Sequence, residues 1–111
     1  MKLRLKKGNK YGARRVRIDG IDFASRKEGE RYSILKLMQE SGQITMLECH
    51  PVYKIIINNI NCGRYTADFR YMVREFVVVE DVKGGAATKT EAYRLRKKIV
   101  EALYGITITE V

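Results

Sequence analysis

Residues 64–84, RYTADFRYMVREFVVVEDVKG, carry the pattern that decides the fold. Two strands are predicted in this stretch, over 64–69 and 75–83, because both segments are rich in aromatic and β-branched residues. The valines at 77–79 are typical of a strand that is covered on both faces, which favours a central position in the sheet. The short connection between the two strands predicts an antiparallel hairpin that brings Asp68 beside Asp81.

Helices are predicted on both sides of this hairpin along the chain. Ser25 and Glu28 form an S-x-x-E capping box, so we expect a helix to begin at Ser25. Thr88 and Glu91 form a second capping box, for a helix that ends at Gly105. The buried face of this second helix is expected to consist of the apolar residues Ala92, Leu95, Ile99, Ala102 and Leu103.

Three further strands complete the prediction, over 14–18, 52–57 and 106–111. The expected order is therefore strand, helix, three strands, helix, strand. This order favours an α/β fold with a mixed central sheet flanked by two helices.

The length of 111 residues is sufficient for one domain with one core. We expect residues 1–13 to form a flexible basic arm and residues 14–111 to form the domain. Cys49 and Cys62 are expected to be free thiols in a reducing compartment. No apolar run approaches the roughly 20 residues of a membrane span, so no membrane association is expected.

The charge of the chain predicts a polyanionic partner. Lysine and arginine number 22 against 13 acidic residues, which gives a net charge of +9. The alternative is that the basic stretches are solvated surfaces that only aid solubility. The basic residues that we expect to contact DNA are Lys10, Arg14, Arg15, Lys89, Arg94, Lys97 and Lys98.

The chemistry is predicted at the end of the second strand of the hairpin. Side chains alternate along a strand, so Asp81 and Lys83 share one face. Asp68 beside Asp81 makes a carboxylate pair whose joint ionisation is unfavourable unless a divalent cation such as Mg²⁺ binds there. Lys83 would orient or deprotonate the attacking water, or contact a phosphate. The alternative interpretation is an ordinary ion pair on a solvated strand face.

A third carboxylate is expected from the first helix. Glu28 is the first choice because it flanks the face that carries Tyr32 and Leu35. The capping box alone is the alternative explanation for Glu28, and Glu30 is the competing helical acid. His50 follows Cys49 directly, and a thiol mechanism is disfavoured because adjacent strand residues point apart.

The acids and the lysine of the predicted site resemble a known superfamily, and four segments of the chain resemble one small family. They are NKYGARRVRIDGIDFASRKEGERY (9–32), YTADF (65–69), VVVEDVKG (77–84) and YRLRKKIVEALYGITITEV (93–111). The arrangement Asp68…Asp81-x-Lys83 with a helical acid resembles the PD-(D/E)XK nucleases. More narrowly, the chain is similar to a small phage-encoded family catalogued as a domain of unknown function. Ala67 stands where the superfamily label has proline, and Gly29 stands where the family tends to have alanine.

The resemblance implies a restriction-endonuclease-like αβββαβ core with Glu28, Asp68, Asp81 and Lys83 as catalytic residues. We expect the metal ligands to be Asp68, Asp81 and Val82, with Mg²⁺ as cofactor and Mn²⁺ as substitute. The implied activity is a DNA endonuclease of phage recombination or replication, for which a Holliday junction or other branched DNA is a candidate substrate. By analogy we expect a homodimer in the cytoplasm of the bacterial host.

Two other functions remain open at this point. A non-catalytic DNA-binding module with the nuclease fold would use the same basic residues. The hypothesis of an RNA-binding protein or a ribonuclease is supported only by the charge, since the sequence contains no aromatic RNA-recognition motif.

Overall fold

The computed structural model describes residues 15–84 and 89–111, so Lys10, Arg14 and the predicted arm at 1–13 lie outside the described residues. Two strands precede the first helix, five strands lie between the two helices, and one strand follows the second helix. The elements are β1 (Val16–Ile18), β2 (Ile21–Phe23), α1 (Arg26–Glu40), β3 (Thr45–Cys49), β4 (Val52–Ile57), β5 (Ile60–Thr66), β6 (Phe69–Val73), β7 (Phe76–Asp81), α2 (Glu91–Tyr104) and β8 (Ile108–Glu110).

The central sheet has the strand order β3-β6-β7-β8. β6 pairs antiparallel with both β3 and β7, whereas β8 pairs parallel with β7. Two antiparallel pairs, β1-β2 and β4-β5, lie outside this sheet. The predicted α/β fold with a mixed central sheet and two helices is therefore confirmed.

The two helices pack on opposite faces of the sheet. Val78 packs against a core cluster that contains Leu35 of α1, and its neighbour Val79 belongs to a cluster that contains Val100 of α2. Successive residues of a strand point to opposite faces, so the two clusters lie on the two sides of β7. We call them the α1-side core and the α2-side core.

Two sequence-based predictions about the hairpin are corrected. The strand expected over 64–69 is interrupted, because β5 ends at Thr66 and β6 begins at Phe69. β7 does lie between two other strands, but Val77 is 51% exposed and is not covered on both faces. β8 pairs with β7 only from Val79 onwards, so the first half of β7 has β6 as its only neighbour.

The first helix begins as predicted. Ser25 is the N-cap of α1, and its Oγ accepts a hydrogen bond from the Glu28 main-chain N–H (3.1 Å). Such a cap satisfies one of the main-chain donors that the first turn leaves without a partner. The capping box therefore places Glu28 in the first turn of α1.

The second helix differs from the prediction in its start and in its buried face. Thr90, and not Thr88, is the N-cap, since Thr90 Oγ1 accepts from the Tyr93 N–H (3.1 Å). Thr88 lies outside the described residues. Ile99 packs against the α2-side core as predicted, but Leu95 and Leu103 are 60% and 45% exposed and Ala92 and Ala102 are exposed as well, so most of the expected buried stripe is wrong.

The face of α2 that packs inward carries Tyr93, Lys97 and Val100, which have helical spacing. Lys97 can occupy this face because its ammonium nitrogen lies 3.5 Å from a carboxylate oxygen of Glu110 in β8. Because a charged residue interrupts the inner face, the apolar periodicity of the sequence does not identify this face correctly.

The cysteines Cys49 and Cys62 are free, as predicted. Neither helix in residues 15–84 and 89–111 is long and apolar enough to cross a bilayer.

Candidate active site

The candidate site lies at two neighbouring chain bends, one between β3 and β4 and the other between β5 and β6. Only His50 and Pro51 separate β3 from β4, and only Ala67 and Asp68 separate β5 from β6. The His50 N–H donates to the Asp68 carbonyl (2.9 Å), and the Ala67 N–H donates to the Pro51 carbonyl (3.0 Å). These hydrogen bonds hold the two bends side by side.

The bend changes the direction in which the Asp68 side chain points. Ala67 belongs to the α2-side core and Phe69 to the α1-side core. Residues two apart on a regular strand share one face, so the alternation is broken at Asp68. Its carboxylate Oδ2 accepts a hydrogen bond from the Val82 main-chain N–H (2.7 Å) across the hairpin.

Three side chains with metal-binding atoms converge at this bend. One donor atom each of Glu28, His50 and Asp68 lies within 4.8 Å of the other two. Glu28 Oε2 lies 2.7 Å from His50 Nε2, and Glu28 Oε1 accepts from the Ala24 N–H (3.2 Å). Carboxylates and an imidazole are suitable ligands for divalent cations such as Mn²⁺. Glu28, His50 and Asp68 are therefore the residues that could hold a metal ion.

Asp81 is adjacent to this group through its contact with Asp68. Its Oδ1 accepts from the Asp68 main-chain N–H (3.0 Å), and its Oδ2 accepts from the Tyr65 hydroxyl. The predicted proximity of Asp68 and Asp81 is therefore present. Asp81 does not belong to the three-residue donor group, and both of its carboxylate oxygens accept hydrogen bonds from the protein.

Asp68 and Asp81 are largely buried, and Lys83 is the basic residue that acts on the charge of both. Within residues 15–84 and 89–111, neither Asp68 nor Asp81 forms a salt bridge. Burial raises the pKa of each carboxyl to about 6, although Lys83 acts in the opposite direction on both. Buried charges are normally paired or bound to metal, so this pair fits a cation.

The neighbouring acid Glu80 provides the contrast. It lies on the opposite face of β7, where Arg31 of α1 donates to both of its carboxylate oxygens (2.8 and 2.6 Å). Tyr71 also donates to Glu80 (2.5 Å). Glu80 is thus a fully paired structural acid, whereas Asp81 one residue later is not.

Lys83 is held beside the aspartates. Its ammonium nitrogen lies 3.8 Å from the centre of the Tyr93 ring, which is a cation–π contact. Its main-chain N–H donates to the Val111 carbonyl (3.0 Å), and its carbonyl accepts from Lys27 Nζ (2.5 Å). Tyr93 lies in the α2-side core, so Lys83 shares the face of Asp81 as predicted.

The structure separates the two helical acids that the sequence left open. Glu28 is buried at 4% exposure and faces the bend, whereas Glu30 is exposed. Val82, which the sequence placed among the metal ligands, contacts Asp68 through its main-chain N–H.

The predicted DNA-contacting residues divide into two groups. Arg15, Arg94 and Lys98 are exposed. Lys89 and Lys97 both bind Glu110, at 3.1 and 3.5 Å. Lys97, which was expected to contact DNA, therefore points towards β8 and is already paired there.

His50 is the site residue that the sequence did not reveal. The sequence suggests only a pairing with Cys49, and adjacent residues of a strand point apart. Its backbone has φ 57°, in the left-handed region, directly before Pro51. A histidine beside a proline at a strand break is the only local signal, and it does not identify the partners Glu28 and Asp68.

Comparison with known proteins places the chain in a family without assigning it an activity. No curated protein and no solved structure shows a significant match to it. Residues 8–109 match the model of the family described as "Protein of unknown function (DUF1064)", and the chain belongs to this family.

Proposed function

We propose that this protein is a metal-dependent endodeoxyribonuclease with a restriction-endonuclease-like site, which hydrolyses phosphodiester bonds in DNA. The observation that carries the proposal is the convergence of Glu28, His50 and Asp68 within 4.8 Å, next to the buried and unneutralised Asp81. A metal site of this composition beside a lysine is suited to phosphate chemistry.

Glu28, His50 and Asp68 would hold Mg²⁺ or Mn²⁺, and the resemblance adds Asp81 as a ligand. When bound, the cation would offset the negative charge of the scissile phosphate and favour deprotonation of water. Hydrolysis adds water across one P–O bond and leaves a phosphate monoester and a hydroxyl group.

The chain's own groups would keep the site ordered. The N–H groups of Ala24 and Val82 hold the carboxylates of Glu28 and Asp68 in place. The Tyr93 ring positions the Lys83 ammonium, which would contact the phosphate or orient the attacking water. Groups that are fixed before the substrate binds lower the cost of reaching the transition state.

The decisive experiment measures cleavage of duplex, nicked, flap and four-way junction DNA with Mg²⁺ or Mn²⁺. We expect Asp68→Asn, Glu28→Gln and Lys83→Ala each to slow cleavage by at least about 100-fold. Glu30→Gln is the matched control for Glu28→Gln, because it makes the same change two residues away on the exposed side of α1. It should cleave within about 2-fold of wild type.

The results also separate the alternatives. Equal cleavage by Lys83→Ala and wild type would contradict the proposed site. Salt-sensitive DNA binding without metal-dependent cutting would support a non-catalytic DNA-binding module instead. Preferred cutting of the four-way junction, by a dimer in sedimentation, would support a role in phage recombination.

A further inference from the structure

A groove lies between β5 and the start of α2, on the α2 side of the candidate site. It has a volume of about 430 Å³, and its lining includes Arg64, Tyr65, Thr66, Thr90, Tyr93 and Arg96. These residues supply two guanidinium groups, two threonine hydroxyls and two aromatic rings. The lining contains no carboxylate.

The two tyrosines connect this groove to the site residues. The Tyr65 hydroxyl donates to Asp81, and the Tyr93 ring contacts the Lys83 ammonium. The two rings lie with their centres 6.3 Å apart. The groove is therefore separated from Asp81 and Lys83 by single side chains, and a polymer bound there would pass next to the site.

The charge of the groove is not neutralised by the protein. In the part of the chain that the structure describes, neither Arg64 nor Arg96 forms a salt bridge, and both are exposed. By contrast, Lys89 and Lys97 nearby are both paired with Glu110. Guanidinium groups bind phosphates through two parallel hydrogen bonds, and free ones are preferred over those already paired.

We propose that this groove binds the phosphodiester backbone of the DNA strand next to the scissile bond, with Arg64 and Arg96 contacting phosphates. The proposal rests on the proposed function, because it names the surface along which the substrate of that site lies. It also differs from the expectation from the sequence, which named Arg94 and Lys98 of α2 among the residues that contact DNA.

The helix itself provides a matched comparison. Arg96 is two residues from both Arg94 and Lys98, which places it about 200° around the helix from them. The double variants Arg64→Ala/Arg96→Ala and Arg94→Ala/Lys98→Ala each remove two positive charges from exposed positions. In the first variant the two charges line the groove, and in the second variant they do not.

Binding of a labelled duplex is measured by fluorescence anisotropy in EDTA, so that cleavage cannot interfere. We expect Arg64→Ala/Arg96→Ala to weaken binding about 10-fold or more and to reduce the slope of log K against log salt by about two. Arg94→Ala/Lys98→Ala should have a clearly smaller effect. Circular dichroism melting confirms that both variants fold.

Equal effects of the two double variants, or a larger effect of Arg94→Ala/Lys98→Ala, would overturn the groove assignment. Because binding is measured without metal, this outcome is independent of the nuclease proposal. If the protein binds DNA through the groove but does not cut it, the nuclease proposal is contradicted and the groove proposal stands. If the protein cuts DNA but its binding does not depend on Arg64 and Arg96, only the groove proposal is contradicted.

Discussion

At the scale of one residue, the environment of Asp81 differs from that of the adjacent structural acid Glu80. Glu80 and Asp81 are adjacent and both almost fully buried, at 2% and 3% exposure. Glu80 is neutralised by Arg31, whereas among the described residues the Asp81 carboxylate accepts hydrogen bonds from Tyr65 and the Asp68 N–H and forms no salt bridge. A buried charge without an opposite charge costs stability. Such a cost is expected at functional sites and is recovered when a ligand binds.

The first prediction concerns the stability of the metal-free protein between pH 4 and 7. Burial raises the pKa of Asp81 from 3.8 to about 6, so between these values the folded protein binds more protons than the unfolded chain. The free energy of unfolding of wild type should therefore fall, relative to Asp81→Asn, as the pH rises from 4 to 7. The fall is at most about 3 kcal/mol.

Urea denaturation in EDTA at several pH values measures this difference. Asp22→Asn, an exposed acid paired with Arg17, serves as the control and should show little pH-dependent change. A difference between wild type and Asp81→Asn that stays constant from pH 4 to 7 would show that burial does not perturb Asp81.

The second prediction concerns the choice of metal at His50. Imidazole nitrogen is a better ligand for Mn²⁺ than for Mg²⁺, which prefers oxygen and retains its waters. We expect His50→Ala to lower the affinity for Mn²⁺ by at least about 10-fold and the affinity for Mg²⁺ by less. Titration of Mn²⁺ followed by electron paramagnetic resonance, with Mg²⁺ as competitor, reads out both affinities without cleavage. An unchanged Mn²⁺ affinity would show that His50 only positions Glu28.

At the scale of elements, the position of Glu28 depends on how the β1-β2 hairpin packs on α1. Gly29 lies in the first turn of the helix, where a Cβ would lie 2.6 Å from Val16 Cγ2 and 3.2 Å from Ile18 Cδ1. The absence of a side chain at Gly29 therefore allows β1 to approach the helix. This explains a residue that by helix propensity alone is unfavourable.

The third prediction follows from this close approach. Gly29→Ala should lower the free energy of unfolding by about 1–2 kcal/mol, since overpacking outweighs the gain of about 1 kcal/mol in helix propensity. Adding Val16→Ala to Gly29→Ala removes the closest contact and should recover part of the loss. Thermal and urea unfolding of wild type, both single variants and the double variant measures the coupling. A more stable Gly29→Ala single variant would mean that β1 can shift without cost.

The whole molecule carries a net charge of +9, and this charge is concentrated at the N-terminus and around α2. Among the described basic residues, several are already paired with acids, as Arg31 is with Glu80 and Lys97 with Glu110. The paired ones contribute less to the attraction of a polyanion than their number suggests. Residues 1–7, which precede the family match, include Lys2, Arg4, Lys6 and Lys7.

The fourth prediction is that these N-terminal charges contribute to DNA binding and not to the cleavage step. Deleting residues 1–7 should weaken DNA binding at low salt and reduce the log K against log salt slope by up to about four. The cleavage rate at saturating DNA should remain within about 2-fold of wild type. A deletion that abolishes cleavage at saturation while leaving the fold intact would place this segment in the site.

The sequence by itself determined the two helices, several of the strands and one pair of neighbouring acids, but it did not predict β2 or a separate β6. Alternation along strands and the capping box are local patterns, so they correctly predicted the mixed sheet, the start of α1 and the proximity of Asp68 to Asp81. The positions of the residues within the core were less predictable. Lys97 lies on the inner face of α2 because Glu110, on a strand that follows the helix, binds it.

Only the tertiary structure decided that His50 joins Glu28 and Asp68. His50 is 22 residues from Glu28 along the chain, and no spacing rule connects a helix turn to a strand bend at that distance. The contact exists because β3-β4 and β5-β6 bend at the same level while α1 packs over the bend. The segments that meet there are far apart in the sequence, so the contact is a property of the folded chain and not of any local segment.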